Sequence, residues 1–89
     1  MTERTAIIAS RVGLHARPAS LFIEAVKRQP VKVTISKDGS TPMDASSILS
    51  IMSLGAGNGD AVVLAAEGEG ADGALTELVA LLETDLDAE

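Results

Sequence analysis

The chain has no cysteine, tryptophan or tyrosine, and Phe22 and His15 are its only phenylalanine and histidine. Without cysteine there is no disulfide, no thiolate metal site and no cysteine nucleophile, a usage that suits a reducing compartment. One histidine cannot build a multi-histidine zinc centre, and the thirteen acidic residues show no spacing that would assemble a metal set. One aromatic ring provides no stacking platform for single-stranded nucleic acid. Seven Lys and Arg are outnumbered by the acidic residues, giving a formal charge of −6, so attraction to nucleic acid or an anionic membrane does not organise the function. Long apolar runs are also missing. Ala6 to Ala9 is shorter than the roughly 7–15 residues of a signal-peptide core, and Ala61 to Ala66 is far below the ~20 that cross a bilayer. The expected molecule is soluble and cytoplasmic, and uses neither cofactor nor metal.

What is present is aliphatic. Of 89 residues, 46% are apolar, enough for one compact core and too few for two, so residues 1–89 are read as a single domain. A strand is expected over Arg4 to Ser10, then a turn, then a helix from Ala16 to Gln29. There Ala19, Phe22, Ile23 and Val26 recur at helical spacing, and Arg17, Glu24, Lys27 and Arg28 take the other face. Pro18 suits the first turn, where an N–H would have no intrahelical acceptor, and Pro30 ends the helix. Val31, Val33 and Ile35 alternate with Lys32, Thr34 and Ser36 as a strand with one buried face. Asp38-Gly39 signals a tight hairpin into a partner strand over Ser40 to Met43, which Pro42 confines to a sheet edge. A helix capped by Ser46 or Ser47 should end at Gly55. A buried strand is expected over Asp60 to Ala66 and a helix over Ala71 to Leu86. The order βαββαβα, with a hairpin in its middle, implies an α+β fold: a largely antiparallel sheet with helices on one face.

Two stretches carry chemistry, and one that resembles a motif does not. Gly68 to Gly73 matches G-x-G-x-x-G, but the acidic residue expected about 20 positions later would fall at or past the chain end. Glu67, Glu69 and Asp72 would also repel a pyrophosphate, so the stretch is read as a connection. VGLHARPAS, Val12 to Ser20, places His15 where the first helix should be capped. The N–H groups of Ala16 and Arg17, together with the helix dipole, would stabilise an anion there, and the Arg17 guanidinium could clamp phosphoryl oxygens. Imidazole, with a reference pKa of about 6.5, is partly neutral and nucleophilic at pH 7. A histidine that carries a phosphoryl group and a histidine that merely caps a helix both fit this stretch. In the second stretch, Ile48, Leu49, Ile51, Met52 and Leu54 are too many apolar residues for a two-turn helix to bury on one face. Either Ile48, Leu49 and Met52 form an exposed docking patch beside the core residues Ile51 and Leu54, or the helix is buried on both sides.

GLHARPAS together with SSILSIMSLG closely resembles the HPr family, the histidine-containing phosphocarriers of the bacterial sugar phosphotransferase system, over essentially the whole chain. The resemblance implies an open-faced β-sandwich, a four-stranded antiparallel sheet covered on one face by three helices. It matches His15 to the residue that enzyme I phosphorylates on Nδ1 from phosphoenolpyruvate, and Arg17 to the arginine that neutralises the phosphoryl charge. The phosphoryl group would pass to enzyme IIA domains. It places docking on Ser20, Glu24, Lys27, Ile48, Leu49 and Met52, and implies a monomeric carrier that does not turn over substrate. A serine phosphorylated by an HPr kinase in many members aligns with Ser47, shifted by one residue of lengthening around Asp38 to Asp44. Ser46 stands where a lysine is common, and with Glu24 it leaves a less basic surface. Carriers of a regulatory phosphotransferase chain or of a dihydroxyacetone kinase, and an interaction module switched at Ser47, remain alternatives.

Overall fold

Strand alternation and helical spacing build the molecule in the expected order. A computed structural model describes residues 2–11, 13–14, 16–37 and 41–84. Its elements are β1 (Thr2–Ile7), α1 (Ala16–Lys27), β2 (Val33–Lys37), β3 (Met43–Asp44), α2 (Ile48–Leu54), β4 (Ala61–Ala66) and α3 (Ala71–Leu82). The sheet runs β1-β4-β2-β3, with every neighbouring pair antiparallel. Three helices cover one face, which makes this the four-stranded open-faced α+β sandwich. In register, Ala6 faces Val62 and Ile35 faces Leu64, so the middle of one side of the sheet is aliphatic and buried, while Arg4, on the other flank of Leu64, is exposed at the sheet edge. The other side, with Thr5, Ile7, Val63, Thr34 and Ser36, is open to solvent in varying degree.

The core is built around the one aromatic ring. Phe22 is fully buried among Ile8, Leu14, Ile35, Ile51, Leu64, Leu75 and Leu78. Burying a Val, Leu, Ile or Phe side chain is worth about 1.5–3 kcal/mol relative to leaving it exposed, so each of these contributes substantially to stability. Polar ties close the layers. Gln29 Nε2 donates to Ala25 O at 3.0 Å and to Glu77 Oε2 at 2.7 Å, linking α1 to α3. Arg4 pairs with Asp72, linking β1 to the start of α3. The Ile7 N–H on the outer edge of β1 reaches Glu83 Oε2 at 3.3 Å.

Several boundaries differ from the sequence expectation, each for a local reason. The first strand lies over Thr2–Ile7 rather than Arg4–Ser10, because from Ile8 onward the chain leaves the ladder for the 57–60 loop. There Ile8 N–H donates to Asp60 O, and Gly59 N–H donates to Ile8 O. The first helix stops at Lys27 because Arg28 and Gln29 donate to carbonyls three residues back, a tightened turn ahead of Pro30. The second strand starts at Val33, not Val31, since Val33 already pairs with Ala66, the last residue of β4. The partner strand is Met43–Asp44 rather than Ser40–Met43; Pro42, with no N–H to offer a ladder, stands just before it. The Asp38-Gly39 hairpin falls outside the described residues. The last helix ends at Leu82, and Leu86 falls outside them as well. Gly68 and Gly70 both take positive φ in the turn from β4 into α3, so the G-x-G-x-x-G match is a connection.

Candidate functional site

The segment before α1 is positioned by a second loop. Leu14 is buried, and its N–H donates to Ala56 O at 2.9 Å. Gly13 takes φ +75° and lies so close to that loop that a Cβ there would stand 2.6 Å from Ala56 O and 2.7 Å from Gly57 Cα. The backbone therefore needs glycine here for two reasons, a left-handed conformation and close approach. Gly13 N–H also donates to Ser10 O at 3.0 Å, closing the turn. Next come His15, outside the described residues, and Ala16, the first residue of α1.

Ala16 and Arg17 occupy the first turn of a 12-residue helix, where N–H groups have no intrahelical acceptor and the dipole is positive. Arg17 is exposed and Pro18 is fully buried, so the proline anchors the turn and the guanidinium stands at the surface. Arg17, Ser20, Glu24 and Lys27 are all exposed, at spacings that keep them along one side of α1. Ala19, Phe22, Ile23 and Val26 take the buried side.

On α2, which packs against α1, the apolar residues divide. Ile51 and Leu54 are buried, whereas Ile48, Leu49 and Met52 are 48%, 77% and 42% exposed. That excludes a helix buried on both sides and leaves three large apolar side chains in water. Of the two candidate caps, Ser47 is the one used. Its backbone is extended and its Oγ accepts from Ser50 N–H at 3.3 Å. Ser46 is otherwise engaged, with its N–H at 2.9 Å and its hydroxyl at 2.6 Å both donating to Asp44 Oδ1. Those two bonds, the hydroxyl's first, hold the Asp44 carboxyl below its ordinary range, aided by the charge of Lys32. Gly55 caps the helix in the left-handed conformation, as expected.

Beyond the residues that the sequence singles out, Asn58 and Asp60 shape the loop that holds Leu14. Asp60 Oδ2 accepts from Gly57 N–H at 2.9 Å and pairs with Lys37 Nζ at 3.1 Å. Lys37 Nζ also reaches Gly55 O at 3.3 Å. The Gly57 N–H, then the hydrogen bond and charge of Lys37, hold the Asp60 carboxyl below its ordinary range. A depressed folded pKa contributes stability that is fully present above the unfolded value of roughly 3.9 and is lost as pH falls through the lower folded value. Asp60→Asn keeps an acceptor for Gly57 and loses the charge. It should flatten the fall of the urea midpoint as the pH drops below about 4; an unchanged acid slope would remove Asp60 from this role.

Among the described residues no group of three or more His, Cys, Asp or Glu side chains is placed to hold a metal, and no helix is long and apolar enough to cross a membrane.

Similarity to known proteins narrows the class. A family model described as the PTS HPr component phosphorylation site matches residues 2–84. The phosphocarrier protein HPr of Streptomyces coelicolor is 42% identical over 98% of this chain and 94% of its own length. The HPr-like protein Crh of Halalkalibacterium halodurans is 36% identical over 93% and 98%. The crystal structure of HPr-C-His from Thermoanaerobacter tengcongensis superposes with a TM-score of 0.90 at 39% identity, covering 100% of this chain and 99% of that one. The chain belongs to the HPr family, the phosphocarriers of the phosphotransferase system.

Proposed function

We propose that residues 1–89 form one phosphocarrier domain that accepts a phosphoryl group on His15 from phospho-enzyme I and passes it to enzyme IIA domains during sugar uptake. The observation that carries this reading is the placement of Ala16 and Arg17 in the first turn of α1, directly after the one histidine, in a chain of the phosphocarrier family. The neutral imidazole attacks phosphorus through Nδ1 as the N–P bond to the enzyme I histidine breaks. The donor imidazole leaves with its electron pair, and the phosphoryl group changes carrier with no net hydrolysis. First-turn N–H groups and the Arg17 guanidinium hold the equatorial oxygens as charge develops. Each pass begins and ends with the same imidazole, so the protein acts as a stoichiometric carrier. Ser20, Glu24 and Lys27 on α1, with Ile48, Leu49 and Met52 on α2, are the proposed docking surface, in the cytoplasm and with a monomeric carrier.

A second role at Ser47 is favoured by its position as the cap beside exposed Ile48 and Leu49. A phosphate there, added by an HPr serine kinase, would place about two negative charges against an apolar docking patch and weaken partner binding. The Ser46 hydroxyl, bonded to the Asp44 carboxylate, is the less suitable acceptor.

Onward transfer is the test of the partner assignment. Chain labelled by enzyme I and phosphoenolpyruvate should lose its label within seconds to minutes when an enzyme IIA domain is added, with label appearing on that domain. Label retained on the chain against every sugar-specific enzyme IIA offered, but released to a regulatory phosphotransferase domain, would replace the sugar-uptake assignment.

A further inference from the structure

The segment that delivers His15 is tied to the 56–60 loop mainly by backbone bonds, and one side chain takes part directly. Asn58 Nδ2 donates to two consecutive carbonyls, Ala9 O at 3.1 Å and Ser10 O at 3.2 Å. Ser10 O is also the acceptor of the Gly13 N–H at 3.0 Å, so the Asn58 amide shares the oxygen that closes the turn ahead of His15. On either side of Asn58 the same two segments are joined again. Gly59 N–H meets Ile8 O at 2.8 Å, and Leu14 N–H meets Ala56 O at 2.9 Å. Asn58 therefore sits midway along a clamp whose far end is the residue preceding the histidine.

We propose that Asn58 is a positioning residue for phosphoryl transfer: its side-chain amide, shared by Ala9 O and Ser10 O, fixes the turn through Gly13 and Leu14 that immediately precedes His15 in the chain. The proposal rests on the reading of His15 as the phosphoryl acceptor. Asn58 does not touch the phosphoryl group; it acts through Ser10, Gly13 and Leu14. Pre-organisation matters here because a nucleophile held away from its in-line path loses rate steeply with small displacements. An amide suits the task because it has two N–H donors for two carbonyls. A carboxylate in its place would turn acceptor oxygens toward acceptor oxygens. Because Asn58 is exposed, truncating it opens no core cavity.

The test compares the full-length protein with Asn58→Ala and Asn58→Asp at a temperature where all three are folded. Both variants should lower the maximal rate of transfer from phospho-enzyme I by about tenfold, Asp at least as much as Ala, with KM unchanged within about twofold. Amide exchange at Gly13 and Leu14 should quicken in parallel. Gln29→Ala, which removes a tie between α1 and α3 remote from this loop, should leave the transfer rate unchanged. Asn58→Ala transferring at the wild-type maximal rate overturns the proposal. So does a slowed rate with Gly13 and Leu14 exchange unaltered, since the effect would then bypass the turn. A wild-type chain that takes no label at His15 is a different failure: it removes the reading of His15 itself, and the positioning role with it.

Discussion

His15→Ala should take no phosphate from enzyme I and phosphoenolpyruvate, while unfolding within about 1 kcal/mol of the wild type. The total loss follows from composition. His15 is the only histidine, so a phosphohistidine has one place to form. The small change in stability follows from the neighbours. Leu14 is held by its bond to Ala56 O and by burial, and α1 by Phe22, Ile23 and Val26 on its buried face, with Pro18 buried in its first turn. Arg17 separates from His15 in the same assay. Arg17→Ala should still accept phosphate at the same site but more slowly, because charge stabilisation is reduced while the nucleophile remains. Equal, complete loss in both variants would mean that Arg17 does more than stabilise charge.

Gly13→Ala should cost about 2–4 kcal/mol, read from urea or thermal midpoints. Two penalties add. A residue with Cβ must hold φ +75°, and that Cβ would be driven to 2.6 Å from a carbonyl oxygen and 2.7 Å from a Cα, both backbone atoms that no rotamer change can move aside. Gly55→Ala is the control. Gly55 has φ +67° with no atom within 4 Å of where a Cβ would stand, so only the conformational penalty of about 1 kcal/mol applies. Equal losses at the two positions would show that the loop at Ala56 and Gly57 yields to the added methyl. Where Gly13→Ala remains folded, transfer to His15 should also slow, because the same contact sets Leu14.

Much of this was readable from residue order. The buried stripe of α1, the alternation in β2 and the end of α2 at Gly55 follow from helical and strand periodicity and from glycine's access to positive φ. The excess of apolar residues on a short helix left two readings open, an exposed patch at Ile48, Leu49 and Met52 or a helix buried on both sides, and the structure shows the three residues exposed. Boundaries were less readable because they depend on partners far along the chain. Val31 has strand character but no ladder residue left opposite it once Val33 has paired with Ala66. Ile8 to Ser10 look like strand and instead bond to the 57–60 loop and to Asn58. The contribution of Asn58 and Asp60 was hidden for the same reason. In sequence they are polar residues in a glycine-rich turn, and the carbonyls that Asn58 meets lie nearly 50 positions earlier. Asp60 left only a local trace, a carboxylate three residues after a glycine whose N–H it accepts.

The most direct measurement is the position and chemistry of the phosphate on the wild-type chain after incubation with enzyme I and labelled phosphoenolpyruvate, by peptide mapping and phosphorus NMR. One phosphate per chain, on Nδ1 of His15, labile in acid and stable in base, is the predicted result. A phosphate stable in acid and mapped to Ser46, Ser47 or another hydroxyl, or no incorporation at all, would contradict the assignment of His15 as the carrier.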